Sequence, residues 1–474
     1  MTTDLNLACY LAGQPLTSGP PLAIRNPYTG RIVGQVSMAC RADTESAILH
    51  ALQAPRNLSR LDRHNILDRA CRSLANRLEE FAHLITDESG LCLRETRYEV
   101  GRALDVLRFA ASEALRDDGQ VFAADVSPNG RPRKIFTTRE PVACAAAITP
   151  FNHPLNQVAH KIAPAIAAGA PLILKPSEKT PLTALRFAAL LYESGLPGPM
   201  LSMFVGPTSE VAEVLVSDPR VEVLCFTGSV AVGKRLPALA GYKRLVLELG
   251  GNDPLIILDD ADLELAAHLA AEGSYRNSGQ RCTAVKRILV HTRVADAFIP
   301  KLVAKTAEYR CGDPTNPDTR VGTVIDEAAA AQLMTVLHDA TIAGARVLTG
   351  GKRHGALFEP TVVTDVPRDC RLIREETFGP IAPVLRIENL DDAIALANDT
   401  AYGLSAGVVT QRIDHALACV KRLRCGSVNI NEIPGFRTES SPFGGIKDSG
   451  LGIKEGVIES IRNYTTVKTF SLPW

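Results

Sequence analysis

The stretch Ala145-Ala146-Ala147-Ile148-Thr149-Pro150-Phe151-Asn152-His153-Pro154 decides the fold that this sequence predicts. A short apolar run ends there in polar and turn-forming residues, and a helical pattern follows until Gly169. From Val142 onward, short apolar runs alternate with helical stretches, which is typical of an α/β domain built on a parallel sheet. We therefore predict an α/β fold.

Two later apolar runs end in residues suited to ligand binding. Pro171-Leu172-Ile173-Leu174 leads into Lys175-Pro176-Ser177-Glu178. Val221-Glu222-Val223-Leu224-Cys225-Phe226 leads into Thr227-Gly228-Ser229, and we expect a helix to begin at Gly233. Ligands of open α/β sheets bind at the carboxyl ends of the strands, where a helix N-terminus can also face a phosphate. Because the G-x-G-x-x-G pattern is absent, this segment alone does not identify a dinucleotide site.

Length and charge limit the classes to which the chain can belong. The 474 residues exceed what one hydrophobic core usually supports, so we expect two or three lobes. Lys plus Arg and Asp plus Glu number 52 each without long runs of one sign, which argues against a nucleic-acid or anionic-membrane partner. No uncharged apolar run approaches the roughly 20 residues that cross a bilayer, and residues 1–6 lack a basic region followed by an apolar core. We expect a cytoplasmic protein.

The cysteines point to a nucleophile rather than to a metal. They number eleven and lack paired CxxC spacing, which argues against a disulfide framework and a zinc site. One of them lies in Asn277-Ser278-Gly279-Gln280-Arg281-Cys282-Thr283, next to a fixed positive charge. Arg281 is expected to favour the thiolate of Cys282, which is the reactive form. Position alone leaves a second interpretation open, in which Cys282 is a small buried apolar residue.

A carboxylate in an apolar run is the next candidate for chemistry. The segment Leu247-Glu248-Leu249-Gly250-Gly251-Asn252-Asp253-Pro254 places Glu248 directly before a glycine pair. Apolar surroundings disfavour the charged form and can tune such a group toward general-base catalysis. The spacing is equally compatible with a glutamate that accepts hydrogen bonds from the amides of Gly250 and Gly251.

The first hundred residues are predicted to supply packing helices. One stripe of apolar residues recurs every three to four positions, as in a single amphipathic helix. Its members are Ile66, Leu67, Ala70, Cys71, Leu74, Leu78, Phe81, Ala82 and Ile85. A second helical pattern runs from Val100 to Ala114 and contains Arg102. An arginine at such a position more often lies at the solvated edge of the helix than binds a ligand.

Two distant segments favour extended structure. They are Lys134-Ile135-Phe136-Thr137-Thr138 and Tyr464-Thr465-Thr466-Val467-Lys468-Thr469-Phe470. If they pair, they form a small separate sheet that suits oligomerisation better than a core.

In their order, these motifs resemble those of the aldehyde dehydrogenase superfamily, from about Ile24 to the C-terminus. The matching pieces are Pro150-Phe151-Asn152, Lys175-Pro176-Ser177-Glu178, Phe226-Thr227-Gly228-Ser229, Leu247-Glu248-Leu249-Gly250-Gly251, Gly279-Gln280-Arg281-Cys282, Glu376-Thr377-Phe378-Gly379-Pro380 and Pro442-Phe443-Gly444-Gly445-Ile446-Lys447-Asp448-Ser449-Gly450. The resemblance implies a modified Rossmann NAD-binding domain (1–126 and 141–247), an α/β catalytic domain (248–440) and a small β oligomerisation sheet (127–140 and 458–474). It also implies a homodimer or tetramer.

The resemblance assigns the chemistry to three residues. Cys282 would attack the aldehyde, Asn152 would donate to the oxyanion, and Glu248 would activate water. Glu248 favours hydrolysis over transfer of the acyl group to the thiol of CoA. The presence of all three residues argues against a non-catalytic protein on the same fold.

The resemblance also implies an NAD site. It puts Lys175 on the adenosine ribose, Ser229 near the pyrophosphate, Glu376 on the nicotinamide ribose and Phe378 against the nicotinamide ring. Glu178 would repel a 2′-phosphate, so NAD is expected to be preferred, with weaker use of NADP. The implied cofactor set is Thr149, Pro150, Phe151, Lys175, Ser177, Glu178, Gly206, Phe226, Thr227, Gly228, Ser229, Leu249, Gly250, Glu376 and Phe378.

Within the superfamily, the likeness is closest to phosphonoacetaldehyde dehydrogenases. It lies in Phe151-Asn152-His153-Pro154-Leu155-Asn156, in the run from Ser278 to Arg287, and in the closing Ser471-Leu472-Pro473-Trp474. The substrate set that it implies is Arg102, His160, Arg281, Thr283 and Arg437. Cations converging on one tunnel predict a small anionic aldehyde, here phosphonoacetaldehyde. The alternatives are non-phosphorylating oxidation of glyceraldehyde 3-phosphate, or oxidation of lactaldehyde or succinate semialdehyde.

Overall fold

A computed structural model describes residues 5–17 and 19–474, which form two seven-stranded sheets, two three-stranded sheets and one two-stranded sheet. Residues 1–4 belong to the N-terminal segment in which a targeting pattern was not expected, and they lie outside the described residues. The strands are β1 Leu5–Asn6, β2 Cys9–Leu11, β3 Gln14–Leu16, β4 Pro21–Arg25, β5 Ile32–Ser37, β6 Val121–Ala123, β7 Arg133–Pro141, β8 Ala145–Ile148, β9 Leu172–Lys175, β10 Leu201–Met203, β11 Val223–Thr227, β12 Arg244–Glu248, β13 Asp253–Ile257, β14 Val285–His291, β15 Arg346–Thr349, β16 Arg353–His354, β17 Leu357–Phe358, β18 Thr361–Thr364, β19 Ile381–Ile387, β20 Ser405–Val409, β21 Ser427–Ile430 and β22 Thr465–Pro473.

The helices cover the faces of the sheets. They are α1 Arg41–Leu52, α2 Arg60–Asn76, α3 Leu78–Ser89, α4 Leu93–Ala114, α5 Asn156–Ala168, α6 Pro181–Glu193, α7 Ala212–Ser217, α8 Val230–Gly233, α9 Leu236–Ala240, α10 Leu263–Tyr275, α11 Thr292–Ala307, α12 Glu327–Ile342, α13 Arg371–Arg374, α14 Leu390–Asn398, α15 Ile413–Arg422 and α16 Val457–Asn463. Among the described residues, no helix combines the length and the apolar character needed to cross a membrane.

The predicted α/β fold with parallel sheets is confirmed. The first large sheet has the order β12-β11-β8-β9-β10-β2-β3, and its first five strands are parallel. The second has the order β15-β18-β19-β14-β13-β20-β21 and is parallel except at β15. Residues 249–252 connect β12 to β13 and carry the chain from one sheet to the other.

A buried carboxylate fixes the helix that follows the first parallel strand. The amides of Leu155 and Asn156, at the start of α5, donate to Oε1 of Glu99 at 2.8 and 3.0 Å. A negative charge at a helix N-terminus satisfies free N–H groups and complements the helix dipole. Gly169 ends the helix in the left-handed conformation with φ of 80°, as predicted. The segment between β8 and α5, which contains Asn152, is thereby fixed where it enters α5.

Two predicted helix bounds were wrong. The apolar stripe from Ile66 to Ile85 belongs to two helices, because Arg77 between α2 and α3 has φ −114° and ψ 21°. Its guanidinium donates to Glu193 at 2.8 Å, and the stripe continues across the break. Gly233 ends α8 instead of beginning a helix, since the Ser229 side chain caps the helix start by accepting from Val232.

The two predicted extended segments pair with each other. β22 runs antiparallel to β7 from Thr465 opposite Pro141 to Pro473 opposite Arg133, and β6 completes a small sheet on the other edge of β7. β6 lies within the range predicted for the NAD-binding domain, and α16 occupies the start of the range 458–474 predicted for the oligomerisation sheet.

Candidate active site

Cys282 follows a strained turn. Asn277 and Ser278, in the 3₁₀ turn Arg276–Gly279, have φ of 56° and 54°, which non-glycine residues rarely adopt. Gly279 has φ of 69°, and a Cβ there would lie 2.2 Å from the carbonyl oxygen of Gly379. The loop before Cys282 is therefore held in one conformation by its surroundings.

Asn152 and Asn277 tie this loop to the end of β8. The Nδ2 of Asn152 donates to the carbonyl oxygen of Gln280 at 2.8 Å, and the Nδ2 of Asn277 donates to the carbonyl oxygen of Asn152 at 3.0 Å. An amide nitrogen carries two hydrogens, so Asn152 keeps a second N–H at the loop that leads to Cys282. The arrangement suits donation to an oxyanion that forms at the cysteine. The contribution of Asn277 was not predicted.

The thiol of Cys282 is protonated at neutral pH in this structure. Burial raises the pKa of Cys282 to about 11; Lys286 is the strongest opposing charge, Glu376 and Asp253 raise the pKa further, and Arg437 lowers it. Arg281, the expected activating charge, interacts with Cys282 but is not among the strongest charges that act on it. Its Nη2 donates to the carbonyl oxygens of Glu272 and Gly273, at the end of α10, at 3.3 and 2.8 Å.

Lys286 is a site residue that sequence reasoning missed. Its buried Nζ donates to the carbonyl oxygens of Arg281 and Cys282 at 2.7 and 3.0 Å. The same atom lies 3.7 Å from Oε1 of Glu376. A lysine four residues after a candidate nucleophile was visible in the sequence, but its direction depends on the turn into β14.

Glu248 has the environment of a general base. Both of its carboxylate oxygens are buried without a hydrogen-bond partner among the described residues. The alternative of a glutamate bound by the glycine pair is excluded, because the amide of Gly251 donates to Glu376 instead. Burial raises the pKa of Glu248 well above its ordinary value; Glu455 raises it further, and Lys161 lowers it. Lys161 and Glu455 form a buried ion pair that the sequence did not reveal.

The carboxyl ends of β8, β9 and β11 form a polar edge. The buried hydroxyls of Thr149 and Thr227 have no partner among the described residues. Lys175 forms an ion pair with Glu178 at the same edge. Donors and acceptors left free in this way match the ribose hydroxyls and phosphates of a dinucleotide, so the residues fit the expected cofactor.

The other predicted cofactor residues lie around this edge and the neighbouring loop. The ring of Phe378 meets that of Phe151 edge-on at 5.9 Å between centroids. Glu376 lies against the glycine pair, since a Cβ at Gly250 would be 2.1 Å from its Oε2. The remainder are in loops or strand ends: Pro150, Ser177, Gly206, Phe226, Gly228, Ser229 and Leu249.

A cavity of about 430 Å³ opens onto Cys282. Four of the five predicted substrate residues line it, namely Arg102, Arg281, Thr283 and Arg437. His160 is buried behind it and is not among the lining residues.

The predicted cluster of cations also contains a carboxylate, which was not predicted. Arg102 donates from Nε to Oε1 of Glu439 at 2.5 Å and from Nη2 to Oε2 at 3.3 Å. His160 Nε2 contacts the same Oε2 at 2.5 Å. Burial lowers the pKa of His160 despite this hydrogen bond, so its imidazole is neutral at pH 7. Sequence reasoning did not single out Glu439, which is two residues after Arg437.

Arg437 differs from Arg102 and Arg276 of the same cavity, which are held in ion pairs. Its guanidinium lies 3.9 Å from the ring centroid of Phe443, and among the described residues it makes no hydrogen bond or ion pair. Arg276, by contrast, is paired with Glu95 and Glu272. Arg437 is therefore the cation most available to a bound anion.

Comparisons with known proteins agree on one family. The family model described as the aldehyde dehydrogenase family matches residues 16–470. The chain is 37% identical over 457 residues to the 3-sulfolactaldehyde dehydrogenase of Priestia aryabhattai, covering 96% of each chain. It is 37% identical to the sulfoacetaldehyde dehydrogenase of Neptuniibacter caesariensis, covering 94% of this chain and 98% of the other. Its structure resembles that of the NADP-dependent glyceraldehyde-3-phosphate dehydrogenase of Bacillus halodurans C-125 complexed with NADP, with a TM-score of 0.96, 33% identity and coverage of 99% and 100%.

Proposed function

Because the chain belongs to the aldehyde dehydrogenase family and is an NAD(P)-dependent oxidoreductase, we propose that it oxidises a short aldehyde with an anionic group to the corresponding acid. The observation that carries the proposal is the guanidinium of Arg437 in the cavity that contains Cys282, because among the described residues it makes no hydrogen bond or ion pair. A guanidinium presents a planar fork of donors that suits carboxylate, sulfonate and phosphonate oxygens.

The chain's own residues account for the covalent steps. The Cys282 thiol releases its proton to water and its Sγ bonds to the aldehyde carbon, while the second N–H of Asn152 and the backbone N–H of Cys282 donate to the oxyanion. NAD(P), when bound, supplies the hydride acceptor that leaves Cys282 as a thioester. Glu248 then takes a proton from water, whose oxygen attacks the thioester carbon and releases the acid and the thiol. The raised pKa of Glu248 favours this proton transfer.

The size and charge of the site guide the choice of substrate. The sequence favours phosphonoacetaldehyde, which carries two negative charges when fully ionised. Glu439 offsets the charge of Arg102, and His160 is neutral, which leaves less positive charge than four free cations would provide. Relatives named for sulfoacetaldehyde and sulfolactaldehyde act on singly charged sulfonates. We therefore place sulfoacetaldehyde ahead of phosphonoacetaldehyde as the proposed substrate.

A panel of aldehydes of matched shape tests the proposal. Sulfoacetaldehyde, phosphonoacetaldehyde and the neutral isostere 3,3-dimethylbutanal are each assayed by NADH and NADPH formation, and the acid products are identified. We expect kcat/KM to be highest for sulfoacetaldehyde and lowest for 3,3-dimethylbutanal. A neutral aldehyde used as well as both anions would contradict the proposal.

We further propose that the β6-β7-β22 sheet mediates self-association into a dimer or tetramer. Its strands expose large apolar side chains, including those of Phe122, Val467, Phe470 and Leu472. Exposed apolar surface of this kind marks interaction sites. Light scattering of the purified protein is expected to give two or four times the chain mass, and a monomer would contradict the proposal.

A further inference from the structure

Glu439 joins two elements behind the substrate cavity. Its carboxylate contacts Arg102 on α4 and His160 on α5, which are 337 and 279 residues away in the chain. Its side chain is 6% exposed, and its carbonyl oxygen accepts from the amide of Val457 at the start of α16. The carboxylate is thus fixed by contacts on both its oxygens and on its backbone.

Glu439 carries a full negative charge. Burial alone would raise the pKa of Glu439, but the hydrogen bond from His160 and the charge of Arg102 hold it well below the ordinary range. Arg102 remains protonated because the charge of Glu439 offsets the cost of its burial. With His160 neutral, the three side chains together have no net charge.

We infer that Glu439 is a specificity-determining residue that sets how many negative charges the substrate can carry. It holds Arg102 in an ion pair, whereas Arg437 makes no hydrogen bond or ion pair among the described residues. A singly charged group is matched by Arg437, whereas the second negative charge of a dianion is disfavoured by the nearby carboxylate of Glu439, which also offsets the charge of Arg102. Glu439 acts through Arg102 and does not touch the reacting atoms.

This role of Glu439 rests on the proposed function and adds the charge of the substrate that the site accepts. Sulfoacetaldehyde and phosphonoacetaldehyde have nearly the same shape and differ by one charge at mildly alkaline pH. Replacing Glu439 by glutamine keeps the shape of the side chain and frees one positive charge on Arg102. The substitution is therefore expected to favour the dianion over the monoanion.

The experiment compares kcat/KM for phosphonoacetaldehyde and sulfoacetaldehyde in wild type, Glu439→Gln and Glu439→Asp. We expect the phosphonate-to-sulfonate ratio to rise by about tenfold in Glu439→Gln, mainly through KM, as a removed like-charge contact allows. Glu439→Asp, which keeps the charge, is expected to retain the wild-type ratio. An unchanged ratio in Glu439→Gln would overturn the inference.

A double variant separates charge from fold. Arg102→Gln combined with Glu439→Gln removes the ion pair as a unit and leaves the net charge of the wild type. It is expected to return the ratio to the wild-type value, since the freed cation is absent. A ratio as high as that of Glu439→Gln alone would show that Arg102 does not transmit the effect and would overturn the inference.

A binding assay without turnover distinguishes failure of the inference from failure of the proposed function. Methylphosphonate and methanesulfonate are tested for protection of Cys282 against iodoacetamide. Glu439→Gln is expected to improve protection by methylphosphonate more than protection by methanesulfonate, even if neither parent aldehyde is the substrate. Equal changes for the two anions would overturn the inference, whereas a wild-type preference for 3,3-dimethylbutanal would contradict only the proposed function.

Discussion

A Cβ atom at Gly444 would lie 2.4 Å from Oε1 of Glu248. Gly444 also has φ of 148°, so its lack of a side chain is required by both conformation and space. The tail motif that contains Gly444 thus forms one wall around the candidate base.

Gly444→Ala is predicted to displace the Glu248 carboxylate and slow hydrolysis of the thioester. The loss should be about tenfold or more, out of the roughly 10²–10⁴ that a positioned general base contributes. Stopped-flow assays should show a burst of NADH followed by slow steady-state turnover. Gly452→Ala is the matched control, because Gly452 has φ of 77° but open space around its Cα. A variant without a burst, or with a normal steady state, would contradict the role of this contact.

The reactivity of Cys282 toward iodoacetamide is predicted to increase with pH. In the absence of cofactor, its pKa of about 11 leaves about 10⁻⁴ of the thiol as thiolate at pH 7. The alkylation rate should therefore rise about tenfold per pH unit until it levels off near pH 11. Peptide mass spectrometry would follow Cys282 beside the exposed Cys40, with Cys282→Ser as the blank. A plateau already near neutral pH would contradict the buried thiol described above.

Asn152→Ala is predicted to reduce turnover while sparing cofactor binding. Loss of one oxyanion donor typically costs roughly 10²–10³ in rate. Titration of NAD by fluorescence should give a nearly unchanged Kd, since the Asn152 amide faces Gln280 and not the polar sheet edge. Near-normal kcat would show that Asn152 serves only to hold the loop.

Glu178→Gln is predicted to shift the cofactor preference toward NADP. The substitution removes a carboxylate from the sheet edge and frees the ammonium group of Lys175, its ion-pair partner. The ratio of kcat/KM for NADP to that for NAD should rise on the order of tenfold, which corresponds to about 1.4 kcal/mol. If wild type already prefers NADP, the expected role of Glu178 is wrong.

The sequence was sufficient to predict features that depend on residues close together in the chain. Alternation of apolar runs and helical stretches predicted the parallel sheets, and Gly169 predicted the end of α5 because a left-handed position favours glycine. The break at Arg77 was missed, since an apolar stripe records which residues are buried and not whether the backbone between them is continuous.

Features that depend on distant partners were missed or misassigned. Arg281 is next to Cys282 in the chain, but its guanidinium turns to the carbonyl oxygens that end α10. Arg102 and His160 were predicted as cations of the substrate tunnel, and nothing local reveals that Glu439 contacts both of them. A sequence shows which charged residues can lie near a site. Only the folded structure shows which residues of opposite charge lie beside them.

Binding of the substrate's anionic group by Arg437 can be measured as a single ratio. This ratio is kcat/KM for sulfoacetaldehyde divided by that for 3,3-dimethylbutanal, compared between wild type and Arg437→Met. Arg276→Met serves as the control, because Arg276 lines the same cavity but is paired with Glu95 and Glu272.

We expect this ratio to fall about 10- to 100-fold in Arg437→Met. Hydrogen bonds between charged groups, here the guanidinium and the substrate anion, are worth about 1.5–3 kcal/mol. Arg276→Met is expected to keep a ratio close to that of wild type. A ratio near one in wild type, or an equal fall in both variants, would contradict the account.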